Sequence, residues 1–265
     1  MNVLILTDFS EVVENAGYYT MQLLKNIPVH FYLLNTGIFN SDKPEDDDTK
    51  AKEDLALKKL DKRIGELKVL TTNKEHKFTS IYSENDLVNT TRRYIEEKKI
   101  DLIVMGAVRK GSPQNTILGL HTYEMIKKIK CNLLAVPADS IYKEPEEIIL
   151  SIDHSAFLDK KEFKFFKQSG ILEKSGVTIL EVQNEFSDRL SDCLFCDQLK
   201  NRAINTKQVK NNDLFSKDLM LEVQKKYDII VLFGKNLSIC DRLLHTSHGL
   251  CATTGNKLPI LVLHD

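Results

Sequence analysis

The sequence predicts an α/β protein made of two tandem open five-stranded sheets, each mainly parallel, with helices on both faces. Three observations carry that prediction. Short apolar runs alternate with longer stretches whose apolar residues recur at helical spacing, the pattern of strands joined by crossover helices. The alternation runs through five strands and then starts again after a charged, proline-bearing linker, SIYKEPEE. The second pass opens with Ile152, Asp153, His154 and Ser155, mirroring Thr7, Asp8, Phe9 and Ser10, as an internal repeat should.

Residues 3–7 (VLILT) form a continuous apolar strand ending at Asp8, and Ser10 with Glu11 opens a helix that reaches Lys25. Val29 to Asn35 is a second buried strand. The acidic turn NSDKPEDDDTK follows, and Ala51 to Lys68 then places Leu55, Leu57, Leu60, Ile64 and Leu67 at helical spacing with charges between them. His76 to Tyr82 alternates as a strand near the sheet edge does, Asp86 to Lys98 is helical, and Asp101 to Met105 is the most apolar strand of this half. A loop, a helix and a fifth strand, Asn132 to Val136, complete the first pass. In the second, a strand from Ile148 to Asp153 precedes a helix from Lys160 to Lys174 and a strand from Val177 to Val182. Patterning weakens between Glu185 and Lys210, where Ala203 to Val209 reads as the third strand. A helix from Asp213 to Lys226 and strands at Asp228 to Phe233 and Leu258 to Leu263 close the chain. The expected domains are residues 1–140 and 146–265, the second a degenerate copy of the first.

Composition narrows the function. Of 265 residues, 42% are hydrophobic, enough for a buried core, and the 37 Lys plus Arg nearly cancel the 38 Asp plus Glu, so no overall field draws the chain to nucleic acid or anionic lipid. The opening residues lack a basic region and a small-residue cleavage site, so they read as a buried strand and not as a signal peptide. No apolar run approaches the roughly 20 residues that cross a bilayer. The 5 cysteines are scattered, which fits a reducing cytoplasm.

In open parallel sheets, ligands bind beyond the carboxyl ends of the strands where the winding direction switches. The stretch Asp101 to Pro137 has the layout for such a site. A strand reaches Gly106, a loop carries Arg109, Lys110 and Gly111, and a helix follows. Glycines let backbone N–H groups approach an anion, and the helix start adds its positive dipole end.

Together the start TDFSE, the strand DLIVMG and the ending CNLLAVP resemble the universal stress protein family in its tandem two-domain form, over nearly the whole chain. The resemblance implies an adenine nucleotide alpha hydrolase-like, Rossmann-like fold and ATP or another adenine nucleotide as ligand. Nucleotide-binding members carry an Asp after the first strand and a loop G-x2-G-x9-G-[ST] after the fourth. Here Asp8 matches the Asp and Gly106 the first loop glycine. Arg109 stands at the second glycine position, Gly119 at the third, and Leu120 where a Ser or Thr would donate to phosphate. A Cβ at Arg109 disfavours positive φ by about 1–2 kcal/mol, while its guanidinium offers a fork for phosphate. Lys110, Gly111, Ser112 and Thr122 are polar groups that can compensate. The implied nucleotide site is Thr7, Asp8, Asn35, Thr36, Gly106, Arg109, Gly111, Gly119 and Thr122.

In the second half Asp153 matches the Asp and Gly234 ends the fourth strand, but the glycine spacing is lost. The function expected is a cytoplasmic stress-response regulator or sensor. The alternative is an interaction scaffold that binds no nucleotide because Leu120 and its apolar neighbours fill the crevice. At most slow ATP hydrolysis is expected, since neither a general base nor a metal-binding carboxylate pair stands in the loop. By the same resemblance, Asn132 to Val136 and Pro259 to Leu263 should join the halves as an intramolecular pseudo-dimer; protein partners are unknown, and homodimerisation of the tandem chain stays open.

Other constellations read as structural. Cys193 and Cys196 have a spacing used by redox dithiols and zinc sites, with Cys240, His245, His248 and Cys251 as further ligand types, but a second CxxC is absent and no finger spacing matches. His154 beside Asp153 has no nucleophile partner. Ser10 and Ser155 read as helix N-caps, Glu45 to Asp48 as an acidic helix start, and Lys58, Lys59, Lys62 and Arg63 as partners of acids one turn away.

Overall fold

Strands rich in Val, Ile and Leu on both faces must be covered on both faces, and that requirement shapes the computed structural model. It describes residues 1–37, 49–108, 118–153, 160–173, 175–183, 204–210, 217–234 and 258–264. In the first half β1 (Asn2–Leu6), α1 (Glu11–Leu23), β2 (His30–Thr36), α2 (Thr49–Leu70) and β3 (Lys77–Ser83) are followed by α3 (Leu87–Lys98), β4 (Leu102–Gly106), α4 (Leu120–Lys128) and β5 (Asn132–Val136). The second half contributes β6 (Glu147–Asp153), α5 (Lys160–Ser169), β7 (Gly176–Gln183), β8 (Ile204–Lys210), α6 (Lys217–Lys226), β9 (Ile229–Phe233) and β10 (Ile260–Leu263).

The strands form one sheet of 10 in the order β3-β2-β1-β4-β5-β10-β9-β6-β7-β8. Pairing is parallel within each half, and the halves meet where β5 and β10 run antiparallel, Ile260 opposite Ala135 and Val262 opposite Leu133. The two expected sheets are therefore one, joined by the strands expected to touch. Joining removes two apolar edge strands from solvent at once. One core layer packs α1, α2 and α5 against one face through residues such as Tyr19, Leu60 and Phe166. The other packs α4 and α6, with α3 partly buried against it, on the opposite face through Ile95, Met125, Ile126, Leu219 and Val223.

Several local readings shift. In α2 the expected Leu60, Ile64 and Leu67 are buried and Leu57 packs against the core, while Leu55 is 55% exposed and Ala56 takes its place in the buried stripe, because a small alanine carries less apolar signal than its leucine neighbour. The helix expected to reach Lys174 stops at Ser169. Gly170, at φ 68°, ends it, and the turn Ile171–Glu173 follows as a short 3-10 segment. Ser10 occupies the N-cap of α1 without a side-chain capping bond. Asp86 does cap α3, accepting from the Asn89 backbone N–H at 2.9 Å, which holds its carboxyl below the usual range.

The linker is a docked strap. Asn15 Nδ2 lies 2.9–3.2 Å from the carbonyls of Pro137, Ala138 and Ser140, the Tyr142 ring meets Tyr19 edge-on at 5.4 Å, and Lys25 pairs with Glu144 at 2.7 Å. On its far side Lys143 forms an ion pair with buried Asp228, and Ser175 donates to the Pro145 carbonyl at 2.8 Å. Among the described residues no helix is long and apolar enough to cross a membrane.

Candidate functional site

After β1 the chain winds outward through β2 and β3, then returns to place β4 and β5 on the other side of β1. The winding switch thus lies between the carboxyl ends of β1 and β4, the place where an open sheet leaves a crevice. Thr7 and Asp8 stand on one side of it and Gly106 on the other.

On the β1 side the backbone is held tightly. The Thr7 N–H donates to Leu34 O at 2.8 Å, the Thr7 hydroxyl accepts from the Phe9 N–H at 3.0 Å, and exposed Asp8 accepts from the Ser10 N–H at 3.0 Å. Phe9 sits at φ 62°, a conformation costly for a residue with a Cβ, with the Lys59 ammonium 5.4 Å from its ring centroid. Asn35 is buried and its amide donates to the Thr7 carbonyl at 2.7 Å, so it ties β2 to β1. Thr36 ends β2, and next to it Gly37 lies so close to Tyr82 that an added Cβ would be 2.6 Å from the phenol oxygen. Burial, with Glu84 and Glu53 nearby, pushes the Tyr82 phenol upward.

On the β4 side Gly106 has a packing duty. A Cβ there would lie 2.6 Å from Val12 Cγ1, so only glycine lets the first turn of α1 settle onto the strand end. Its carbonyl accepts the Thr122 hydroxyl at 2.9 Å, and the Ala107 carbonyl accepts the Gly119 N–H at 2.8 Å. These two bonds seat the start of α4 beside the end of β4, where its dipole favours an anion. Gly119 itself is at φ −72°, ψ 160°, ordinary extended backbone open to any residue. Leu120, at the first position of α4, is 76% exposed and so does not fill the crevice.

Of the predicted site residues, Thr7, Asp8 and Gly106 flank the switch, and Gly119 and Thr122 are bonded to the β4 end. Asn35 and Thr36 end the neighbouring strand. Arg109 and Gly111, with Lys110 and Ser112, lie outside the described residues, as do Glu45 to Asp48, His154, Ser155, Cys193, Cys196, Cys240, His245, His248 and Cys251. Of the basic residues in α2, Arg63 pairs with Glu66 at 2.5 Å and also with Glu14 of α1. Sequence reasoning missed Val12, Lys59 and Tyr82. Each acts on a residue distant in the chain, and no local spacing signals such a contact.

The second half can be overlaid through its strand pairing. Val3 pairs with Leu102 as Ile148 pairs with Ile229, which makes Phe233 the counterpart of Gly106 and Gly234 that of Ala107. The ladder agrees, since the Ala107 N–H donates to Val136 O and the Gly234 N–H to Leu263 O, both at 2.8 Å. The matching glycine is therefore one residue late and on the other face. A buried benzyl group stands where the first half has its glycine, and the His264 imidazole lies against the Gly234 α-carbon.

The family model described as universal stress protein family matches residues 1–137. Among solved structures, a universal stress protein from Archaeoglobus fulgidus is 16% identical, covering 100% of this chain and 97% of its own, with a TM-score of 0.67. A functionally unknown protein from Pseudomonas aeruginosa is 14% identical over 99% of this chain and 92% of its own, with a TM-score of 0.57. A universal stress protein in complex with cAMP is 17% identical over 51% of this chain and 96% of its own, with a TM-score of 0.38. At these identities the first two likenesses concern the fold. No curated protein matches the chain.

Proposed function

The chain belongs to the universal stress protein family, and from that premise we propose that its first half binds ATP or another adenine nucleotide in the β1/β4 crevice and that the protein acts as a stress-response regulator or sensor. The observation that carries this reading is the exposure of Leu120. A scaffold with a self-filled crevice needs that side chain inside, and it lies outside.

The geometry supports specific roles. Asp8 is exposed at the end of β1 and spends one carboxylate oxygen on the Ser10 N–H, leaving the other to accept from a ribose hydroxyl or base amine. The start of α4 offers its dipole to phosphate. Thr122 and Asn35 act as positioning residues, because the hydroxyl proton of one and the amide of the other are already bonded to backbone carbonyls. Arg109 supplies the guanidinium that replaces the lost second glycine. Regulation without fast turnover follows from the lack of a general base or metal-binding carboxylate pair in the loop sequence.

The test is melting of the full-length protein with millimolar ATP. A ligand that binds only the folded state must raise Tm, and Asp8→Ala and Arg109→Ala should each reduce that rise while leaving the ligand-free Tm nearly unchanged. No rise with the unmodified protein would overturn the nucleotide reading.

A further inference from the structure

Six large hydrophobic side chains are exposed among the described residues, and four of them lie on the α1/α2 layer: Tyr18 on α1, and Leu55, Val69 and Leu70 on α2. Leu55 is 55%, Val69 85% and Leu70 49% exposed. Single exposed apolar groups are ordinary, but this clustering on one helix is not.

The arrangement along α2 is ordered. Leu55, Lys59, Lys62, Glu66 and Val69 follow one another at alternating steps of four and three residues, so they form one stripe, turned away from the buried Ala56, Leu60, Ile64 and Leu67. Apolar groups occupy the two ends of the stripe and charged groups the middle. Gly65 borders it with nothing within 4 Å of the place a Cβ would take. Glycine weakens a helix relative to alanine, and no packing contact within the described residues calls for one here. Tyr18 stands one turn beyond Glu14, the α1 residue that pairs with Arg63, and so lines the edge of the same surface.

We propose that this face of α2 is the docking surface for a second molecule of the same chain, the two α2 helices packing antiparallel about a two-fold axis beside Lys62. The stripe is its own complement in that arrangement. Reversing α2 about the midpoint between Lys62 and Arg63 brings Leu55 opposite Leu70, with Val69 alongside, and Lys59 opposite Glu66, once on each side of the axis. A parallel pair would set Lys59 against Lys59 and Glu66 against Glu66. Glu66 gives Arg63 its Oε2 atom, which leaves Oε1 to accept from the lysine across the axis. Gly65 lets the partner helix lie close. The two Lys62 side chains meet near the axis and oppose the contact, and one helix pair is small beside the about 800 Å² per partner of a standard interface, so the dimer is a weak one. This surface is separate from the β5/β10 joint within the chain and does not depend on nucleotide binding.

Sedimentation equilibrium of the full chain across the micromolar range should show a reversible dimer. Leu55→Glu should weaken association about tenfold or more while leaving Tm nearly unchanged, since the side chain it replaces is largely in water. Adding Leu70→Lys should restore association. On one helix the two positions are about 22 Å apart, so the new charges can meet only across an antiparallel pair. Lys62→Leu, which removes the like charges at the axis, should tighten the dimer about tenfold. A chain that stays monomeric through that range overturns the proposal. So does a Leu55→Glu protein that associates as before, which would assign the contact to another face. Failure of Leu70→Lys to restore association, or of Lys62→Leu to strengthen it, overturns it as well, because the helices would then not cross antiparallel at Lys62.

Discussion

The two halves agree at the amino ends of their strands and part company at the carboxyl ends. At the amino end, Asp101 accepts the Asn2 N–H at 2.8 Å and returns its own N–H to the Asn2 carbonyl at 2.8 Å. Its counterpart Asp228 accepts from Glu146 and Glu147 at 2.8 and 3.0 Å and donates to the Glu147 carbonyl at 2.8 Å. The same clamp starts the central strand of each half. At the carboxyl end, Phe233 stands at the position of Gly106 and Ser151 at that of Leu6. The clamp serves the fold and must persist in both copies. The carboxyl ends carry whatever is bound, so the second copy was free to reshape them.

The comparison can be broken most severely at Phe233. It is 1% exposed and packed in the core, so Phe233→Ala should cost about 3–5 kcal/mol, read as a fall in the urea midpoint. A loss near zero would mean that the benzyl group does not close the second crevice.

Gly106 gives a smaller effect of the opposite kind. Gly106→Ala pushes a methyl group against Val12 and should cost about 1–3 kcal/mol. In combination with Val12→Ala the cost should fall well below the sum of the two single changes, because the pair shares one contact. Strict additivity would separate the glycine from α1 and return it to the ligand alone.

The smallest effect is pH dependence in the first half. Burial lowers the pKa of His76 and of His30, the latter with Lys77 and Lys98 adding to the shift. His76 is built to be neutral, with Nδ1 2.7 Å from the Thr71 hydroxyl and Nε2 3.2 Å from the Ile27 carbonyl. Below about pH 6.5 the unfolded chain takes up the proton first, so stability should fall as pH drops from about 7 towards 5. His76→Gln should flatten that slope in urea titrations, and hydrogen exchange should show the loss in β2 and β3 before β6 and β7. A slope unchanged by the substitution would assign the acid sensitivity elsewhere.

Much of the architecture was legible because its signals are local. The apolar runs, the turn residues and the repeated Thr7-Asp8-Phe9-Ser10 pattern place nearly every described strand within two residues, and the edge position of β3 follows from its alternation. Local signals failed where two choices were locally equivalent. Leu55 and Ala56 both suit a helix face, and only the contact with β3 and β2 selects the alanine. Gly170 in KQSGILEK could lie inside a helix or end one, and tertiary packing of the following turn decides for the end. For the site, Asp8 and the outer glycines could be counted off by spacing, but the reason for Gly106 could not, because Val12 lies on another element.

By itself, then, the sequence determined the order of elements, their near duplication and the position of the winding switch, all of which follow from periodicity and turn chemistry along the chain. Only the tertiary structure decided that the two sheets are one, that the linker is strapped between α1 and Asp228, that Leu120 stays outside the crevice, and that Phe233 rather than Gly234 answers Gly106. Those facts depend on register and packing between residues far apart in the chain, and register is chosen by which buried faces must meet.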